Sequence, residues 1–361
     1  MRPSSEKLGV LVINFGEPDE PVLEKVEPFL ERIFLQNAGL EPNESVRERA
    51  RQLAADRAPG LIEEYREIGG SPLNNQAEEQ AEALERVLAT RGWDVRVYPA
   101  YQFTAPTIEE RIVEARSEGV ETLVAVPVYP LCGQSTTVAA LDEVVRTLAK
   151  DEESPRFVGV SGWHDHPAYV RLRVDNIRSF VASRGLDLTD PDTLLYFSVH
   201  GTPVKYLEAG NRYDRYVDEH CRTVAAELGT NRYGVGFQNH TNRHIVWTQP
   251  DNEERIRNAS EGTLVVVPIS FMHEQSETLA ELDIEMRRFV EGLGKTFHRV
   301  PVPHDAPAFA DLLADLVEEL AAGPESGRLS LAACRCAPHD GIWCTNGARD
   351  LPPSPFLPAS A

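Results

Sequence analysis

The sequence predicts an α/β protein of two doubly wound lobes with parallel sheets and a cleft between them. Three observations carry this. Short apolar, β-branched runs alternate with helical patterns, the signature of βαβ units. Runs such as Leu123-Val-Ala-Val-Pro-Val128 are apolar almost throughout and suit strands covered on both faces. A charged, proline-containing joint, Asp151-Glu-Glu-Ser-Pro155, interrupts the pattern near the middle and divides the strands into two groups.

In chain order the strands are predicted at 8–14, 94–100, 121–129, 156–160, 193–200, 232–237, 263–271 and 297–302. Helices are predicted at 21–36, 74–91, 105–118, 135–150, 166–184, 213–228, 274–293 and 306–322. The lobes then span 1–153 and 154–322, and 323–361 is an extension with a cysteine cluster. Its proline- and serine-rich last dozen residues are predicted to be disordered.

The chain has 361 residues and a formal net charge of −21. That balance argues against nucleic acid as the main partner, since a phosphate backbone would be repelled. No apolar stretch approaches the ~20 residues of a membrane span. The N-terminus lacks the long apolar core and cleavage site of a signal peptide. The protein therefore reads as cytoplasmic, and the Asn-x-Ser/Thr triplets at Asn43, Asn239 and Asn258 carry no glycosylation meaning. Segment 37–64 reads as a polar lip over the cleft, with peripheral membrane contact at most.

The most informative stretch is 263–285, where an apolar run ends at Phe271 and a polar helical pattern begins. Glu274, Glu277, Glu281 and Glu285 recur at helical spacing, which puts four carboxylates on one face. Their repulsion would be relieved by a cation or a proton-rich substrate. The competing reading is a solvated acidic face. In open α/β sheets the site lies beyond the carboxyl ends of the strands. There stand His200-Gly-Thr-Pro203, with an imidazole suited to accept a proton near neutral pH, and Asn14-Phe-Gly-Glu-Pro18. Tyr101 and Phe103 offer an aromatic pair to a flat apolar ligand, or else ordinary core packing. The hydroxyls of Ser135, Thr136 and Thr137 are placed to cap the following helix. The glycine-rich turn at 66–73 is neither a Walker loop nor a dinucleotide fingerprint, and Gly234-Val-Gly236 lacks a third glycine.

Taken together, these segments resemble the ferrochelatases, which insert ferrous iron into a porphyrin in haem synthesis. The resemblance runs over most of 8–322. It rests on Val12-Ile-Asn-Phe-Gly-Glu-Pro18, Tyr65-Arg-Glu-Ile-Gly-Gly-Ser-Pro-Leu73, Tyr129-Pro130 with Ser135-Thr-Thr137, Phe197-Ser-Val-His-Gly-Thr-Pro-Val204, Pro268-Ile-Ser-Phe271 and Glu277-Thr-Leu-Ala-Glu-Leu-Asp-Ile-Glu285. It implies two similar Rossmann-type lobes clamping the porphyrin. It makes His200 and Glu277 the catalytic pair, and His200, Glu277 and Glu281 the groups that meet the Fe2+ substrate. Tyr101 falls in the porphyrin-lining segment, with Phe103, Ser135 and Thr136 as further candidates. The chain departs from the family's pattern in having Gln275 two residues before Glu277, a histidine at His273 instead, two glycines before Ser71-Pro72, and Asn239–Trp247 in place of a Gly-Pro-x-Pro-Trp segment.

The chemistry is consistent. Metalation removes two pyrrole protons and strips water from Fe2+, which imidazole and carboxylate ligands serve. A clamp that bends the macrocycle lowers the barrier. The sequence reading sets His200 and Glu277 facing each other across the ring.

Five cysteines are present, and Cys334, Cys336 and Cys344 crowd the C-terminal region. In a reducing compartment this points to a metal site before a disulfide framework. Some ferrochelatases carry a [2Fe–2S] cluster on three C-terminal cysteines and one internal one. The resemblance thus implies a cluster on Cys132, Cys334, Cys336 and Cys344, with Cys132 preferred because it follows a strand whereas Cys221 falls mid-helix. A zinc site, His339 as a nitrogen ligand, and unligated thiols are the alternatives. Rival functions are a chelatase for another tetrapyrrole such as sirohydrochlorin, a non-catalytic haem- or porphyrin-binding protein, and a nucleotide-binding α/β protein. Protoporphyrin IX and coproporphyrin III are both open as substrates.

Overall fold

A computed structural model describes residues 7–40, 45–151, 153–239, 245–323, 331–346 and 349–357. The chain forms two compact units, 1–163 with 304–349, and 164–303 with 350–361.

The first unit holds a six-stranded sheet in the order β2-β1-β3-β4-β10-β9. Its strands are β1 (Leu8–Asn14), β2 (Val95–Tyr101), β3 (Thr122–Pro127), β4 (Arg156–Val160), β9 (Ala332–Ala333) and β10 (Ile342–Cys344). All pairings are parallel except β10 with β9. Every residue of β1 is buried, as its unbroken apolar sequence requires of a strand with a neighbour on each side and helices on both faces.

The second unit holds a four-stranded parallel sheet in the order β6-β5-β7-β8. Here β5 is Thr193–His200, β6 Tyr233–Gln238, β7 Thr263–Pro268 and β8 Thr296–Arg299. The register sets His200 level with Gln238 at the carboxyl edge.

The unit boundaries differ from the sequence reading. The joint at 151–155 falls inside the first unit, because β4 pairs with β3 from Thr122↔Arg156 onward. The chain leaves that unit after Trp163 and returns at His304. The helix Pro307–Ala322 belongs to the first unit: its buried stripe, including Leu312, Leu313, Leu316 and Val317, packs on the helix Leu73–Thr90 and on β3 and β4. The extension is not a separate domain either, since β10 adds to the sheet beside β4. The predicted disorder of the last dozen residues is corrected for 350–357. Phe356 is buried with its ring 5.1 Å from Phe237, and its carbonyl accepts from the Gln249 amide at 3.0 Å. Residues 358–361 lie outside the described residues.

A helix, Val46–Ile68, occupies much of the supposed polar lip. It buries Ala50, Ala54, Ala58, Leu61, Ile62 and Tyr65, largely against the helix Leu23–Gln36.

Candidate active site

His200 is the last residue of β5, where the strand runs out and the side chain meets solvent at the sheet edge. The turn after it is tight. A Cβ on Gly201 would lie 2.9 Å from the Gln238 carbonyl, so only glycine fits. The His200 amide donates to Ser270 Oγ at 2.9 Å, and Tyr213 Oη bonds both Ser270 Oγ (3.0 Å) and the His200 carbonyl (3.1 Å). The ring is oriented by Nδ1, 2.7 Å from the Gly201 carbonyl, which makes Nδ1 the protonated nitrogen and aims Nε2 outward.

Nε2 lies 3.0 Å from Glu277 Oε1. Glu277 sits in the first turn of a short helix, Ser276–Leu279, which begins at Gln275. The Gln275 side-chain amide donates to Glu277 Oε2 at 2.8 Å. The amide of Gln238, from the end of β6, donates to Glu281 Oε2 at 2.9 Å and to the Glu277 carbonyl at 3.1 Å. Three strand ends therefore converge on one histidine and two carboxyl groups.

The electrostatics follow from this crowding. Burial opposes charge on His200, but the Glu277 and Glu281 carboxylates outweigh it and raise its pKa to about 9. Burial, with the Glu277 charge, raises Glu281 to about 8, against the pull of the Gln238 amide. At neutral pH the site is thus loaded with protons: His200 is an imidazolium against Glu277, and Glu281 is a neutral acid.

The expected single helix over 274–293 is broken. After Leu279 the backbone turns π-helical over Glu281–Met286 and returns to α-helix over Arg287–Gly292. A π turn shifts the angular spacing, so the four-glutamate stripe does not hold. Glu274 precedes the helix and is nearly buried against Arg299 at 2.9 Å, also accepting from the Val302 amide. Glu285 is exposed. Only Glu277 and Glu281 reach His200. The 3.0 Å contact also corrects the picture of His200 and Glu277 on opposite faces of a ring. A flat guest needs about 3.5 Å on each side, and there is no such gap here.

The candidate ring-binding residues lie in the first unit and are engaged in packing. Tyr101, at the end of β2, is buried and donates from Oη to the Asn74 carbonyl at 3.1 Å. Burial and the Glu78 charge push its phenol well above the usual value. Phe103 is buried against Phe15 (4.5 Å) and Phe29 (6.3 Å). Both match the packing alternative. Gly16, at φ 78°, lets the Asn14–Pro18 turn press on this pair, for a Cβ there would meet Tyr101 Cβ at 2.6 Å. Ser135 and Thr136 stand in a π turn, Gln134–Val138, with no side-chain cap, so the capping role is not realised. Instead Ser135 Oγ donates to Asn37 Oδ1 at 2.6 Å. Glu17 joins the two glycine-containing motifs: buried, it accepts from Tyr65 Oη at 3.0 Å and from Ser71 Oγ.

Cys132, Cys334, Cys336 and Cys344 gather in the first unit. The Cys344 thiol donates to Cys334 and draws its pKa down to about 6, helped by the Ser161 hydroxyl at 2.9 Å and the Ala337 amide at 3.1 Å. A hydrogen bond with Cys336, then burial, raise Cys132, whose charge also feels Cys334 and Cys344. Cys221 is buried in the helix Tyr213–Glu227 and belongs to the second unit. His339 turns to Asp142 at 2.7 Å. Among the described residues no three His, Cys, Asp or Glu side chains stand in ready-made metal-holding geometry. In donor identity the four thiols, one with a low pKa, fit an iron–sulfur cluster.

Gln238, Gln275, Ser270 and Tyr213 were not singled out from sequence. Gln238 and Ser270 end or follow strands, so the strand-end rule could have found them; Gln275 was noted only as a departure.

Residues 7–321 match the family model described as Ferrochelatase. Among curated proteins, a ferrochelatase of Picosynechococcus sp. is 36% identical over 327 residues, covering 87% of this chain and 82% of that protein. One from Geotalea uraniireducens is 31% identical over 321 residues, covering 87% and 98%. Among solved structures, SirB from Bacillus subtilis with Fe3+ matches with a TM-score of 0.53 at 13% identity, covering 89% of this chain and 98% of that one. That likeness speaks for the fold alone.

Proposed function

The chain belongs to the ferrochelatase family and is a porphyrin metal chelatase that inserts Fe2+ in haem biosynthesis, and we propose that His200 and Glu277 act as one proton-sharing pair in that reaction. The observation that carries this is the 3.0 Å contact between Nε2 and Oε1, with Nδ1 tied to the Gly201 carbonyl. The two groups work from one side of the macrocycle, not across it. As the dication approaches, His200, Glu277 and Glu281 release the protons that the empty site holds and offer a nitrogen and two carboxylates. Fe2+ exchanges water for ligands that bind weakly enough to let go. Once Glu277 turns to the metal, His200 loses the partner that raised its pKa. When these ligands pass Fe2+ to the ring, the freed His200 Nε2 and the Glu277 carboxylate can each take one of the two pyrrole protons. Glu281, at the start of the π turn that follows, passes protons outward.

Ser135 and Thr136, half-buried and bonded to Asn37 and Gly133, give the porphyrin a neutral wall. Tyr101 and Phe103 stiffen that wall from within. Cys132, Cys334, Cys336 and Cys344 are the ligand set for a [2Fe–2S] cluster, which when bound adds a redox-active cross-link between the loop after β3 and the C-terminal strands. Its role is structural. The protein works in the cytoplasm; among the described residues no helix is long and apolar enough to cross a membrane.

The test is insertion of Fe2+ by His200→Ala and Glu277→Gln, each with folding checked by circular dichroism. Loss of proton transfer predicts a drop of about 10²–10⁴ in turnover. Near-normal rates in both sink the pair. For the cluster, anaerobic protein should carry about two irons per chain and absorb in the visible. Cys334→Ser should abolish both, and Cys221→Ser neither.

A further inference from the structure

Arg173 lies within the helix Pro167–Ser183 and is 1% exposed, yet it forms no ion pair among the described residues. A buried cation without a counter-ion is costly unless hydrogen bonds replace its water. Four groups do so. Nε donates to Tyr169 Oη at 3.0 Å. Nη2 donates to the Ile269 carbonyl at 3.2 Å and the Phe271 carbonyl at 2.5 Å, and meets Met272 Sδ at 3.4 Å. Tyr169 is held in turn by stacking on His220, 4.9 Å away at 16°.

The two carbonyls flank Ser270, the residue whose Oγ receives the His200 amide at 2.9 Å. The same segment runs on to Gln275, whose side chain holds Glu277 Oε2 at 2.8 Å. An apolar residue at 173 would fill the core without the desolvation cost. What the guanidinium adds is a nitrogen, Nη2, held to two carbonyls of the segment that links the two halves of the pair, with Nε fixing its plane through Tyr169.

We infer that Arg173 is a positioning residue for iron insertion: by bridging the carbonyls of Ile269 and Phe271 it fixes the segment that seats His200 on Ser270 and delivers Glu277 to it. This rests on the reading of His200 and Glu277 as the reacting pair. Arg173 touches neither of those two side chains.

Arg173→Met keeps the apolar stem and removes every donor. Misplacing a reacting group lowers turnover without weakening ground-state binding, so kcat should fall about tenfold or more while the porphyrin KM stays within about twofold. Arg173→Lys, which can still donate to both carbonyls, should recover most of kcat. Amide exchange, measured without substrate, should speed up at His200 and over 269–277 in Arg173→Met and stay unchanged in β1 and β3. A kcat within about twofold of wild type in a cooperatively melting Arg173→Met overturns the inference, as does an equal loss in Arg173→Lys. If Arg173→Met does not melt cooperatively, Tyr169→Phe is read the same way, with about a two- to fivefold loss of kcat expected and no loss overturning it. Failure of the catalytic pair is separable: His200→Ala and Glu277→Gln would then remain active, while the exchange rates in Arg173→Met still report whether the anchor exists.

Discussion

The two sheets share a parallel plan but present opposite chemistry at their carboxyl edges. At the edge of the second unit stand His200, Glu277 and Glu281, close together, with the pKa of His200 raised to about 9 and that of Glu281 to about 8. At the edge of the first unit the corresponding loops carry Tyr101, Phe103, Ser135 and Thr136, neutral side chains whose bonds are already made within the unit. Displaced ionisation marks groups that exchange protons or cations, whereas satisfied neutral groups mark a wall. On the proposed reading, one sheet edge reacts and the other holds its shape.

The contrast breaks most readily through activity. Glu277→Gln should cost about 10²–10⁴ in insertion rate, whereas Thr136→Ala should change kcat by less than about threefold, as read in a fluorimetric assay of porphyrin disappearance. If Thr136→Ala were as damaging, the reactive edge would be misassigned. Next in size is stability. Phe103→Ala leaves a cavity beside Phe15 and Phe29 and should cost about 3–5 kcal/mol in urea unfolding, with turnover per folded molecule retained. Glu17→Ala strands the hydroxyls of Tyr65 and Ser71 and should cost about 1–3 kcal/mol by the same measurement.

The smallest effect is the most specific. Glu281 is raised to about 8, so its neutral form favours folding below the ordinary carboxylate value, and that contribution is lost as pH rises through about 8. Glu281→Gln mimics the neutral acid. It should match wild type in melting temperature near pH 4.5 and exceed it by a few degrees above pH 8. No pH dependence in that difference would mean the carboxyl is not buried against Glu277.

Much of this was legible in the sequence, for identifiable reasons. All eight predicted strands exist, and the central ones, β1, β3, β5 and β7, stand out because buried parallel strands need continuous apolar runs. β9 and β10 are two and three residues long, too short to show a period. The helix Val46–Ile68 is not legible because half of its buried side is alanine and it contains Pro59. β4 was misassigned because a proline-containing joint looks the same inside a domain as between two. The π turn at Glu281–Met286 is invisible to a reading that assumes 3.6 residues per turn, and so the acidic stripe was overextended from two carboxylates to four. His200 and Glu277 were legible as types at strand ends. Their 3.0 Å contact depends on the tight turn at Gly201, the Ser270 hydroxyl and the Gln275 side-chain amide, which no spacing rule encodes.

The central claim is that His200 and Glu277 share a proton in the empty enzyme. Nuclear magnetic resonance of the His200 ring, followed from pH 5 to 10, tests it directly. A midpoint near 9 is expected, falling toward 6.5 in Glu277→Gln. A midpoint near 6.5 in the wild-type protein, indifferent to that substitution, would contradict it.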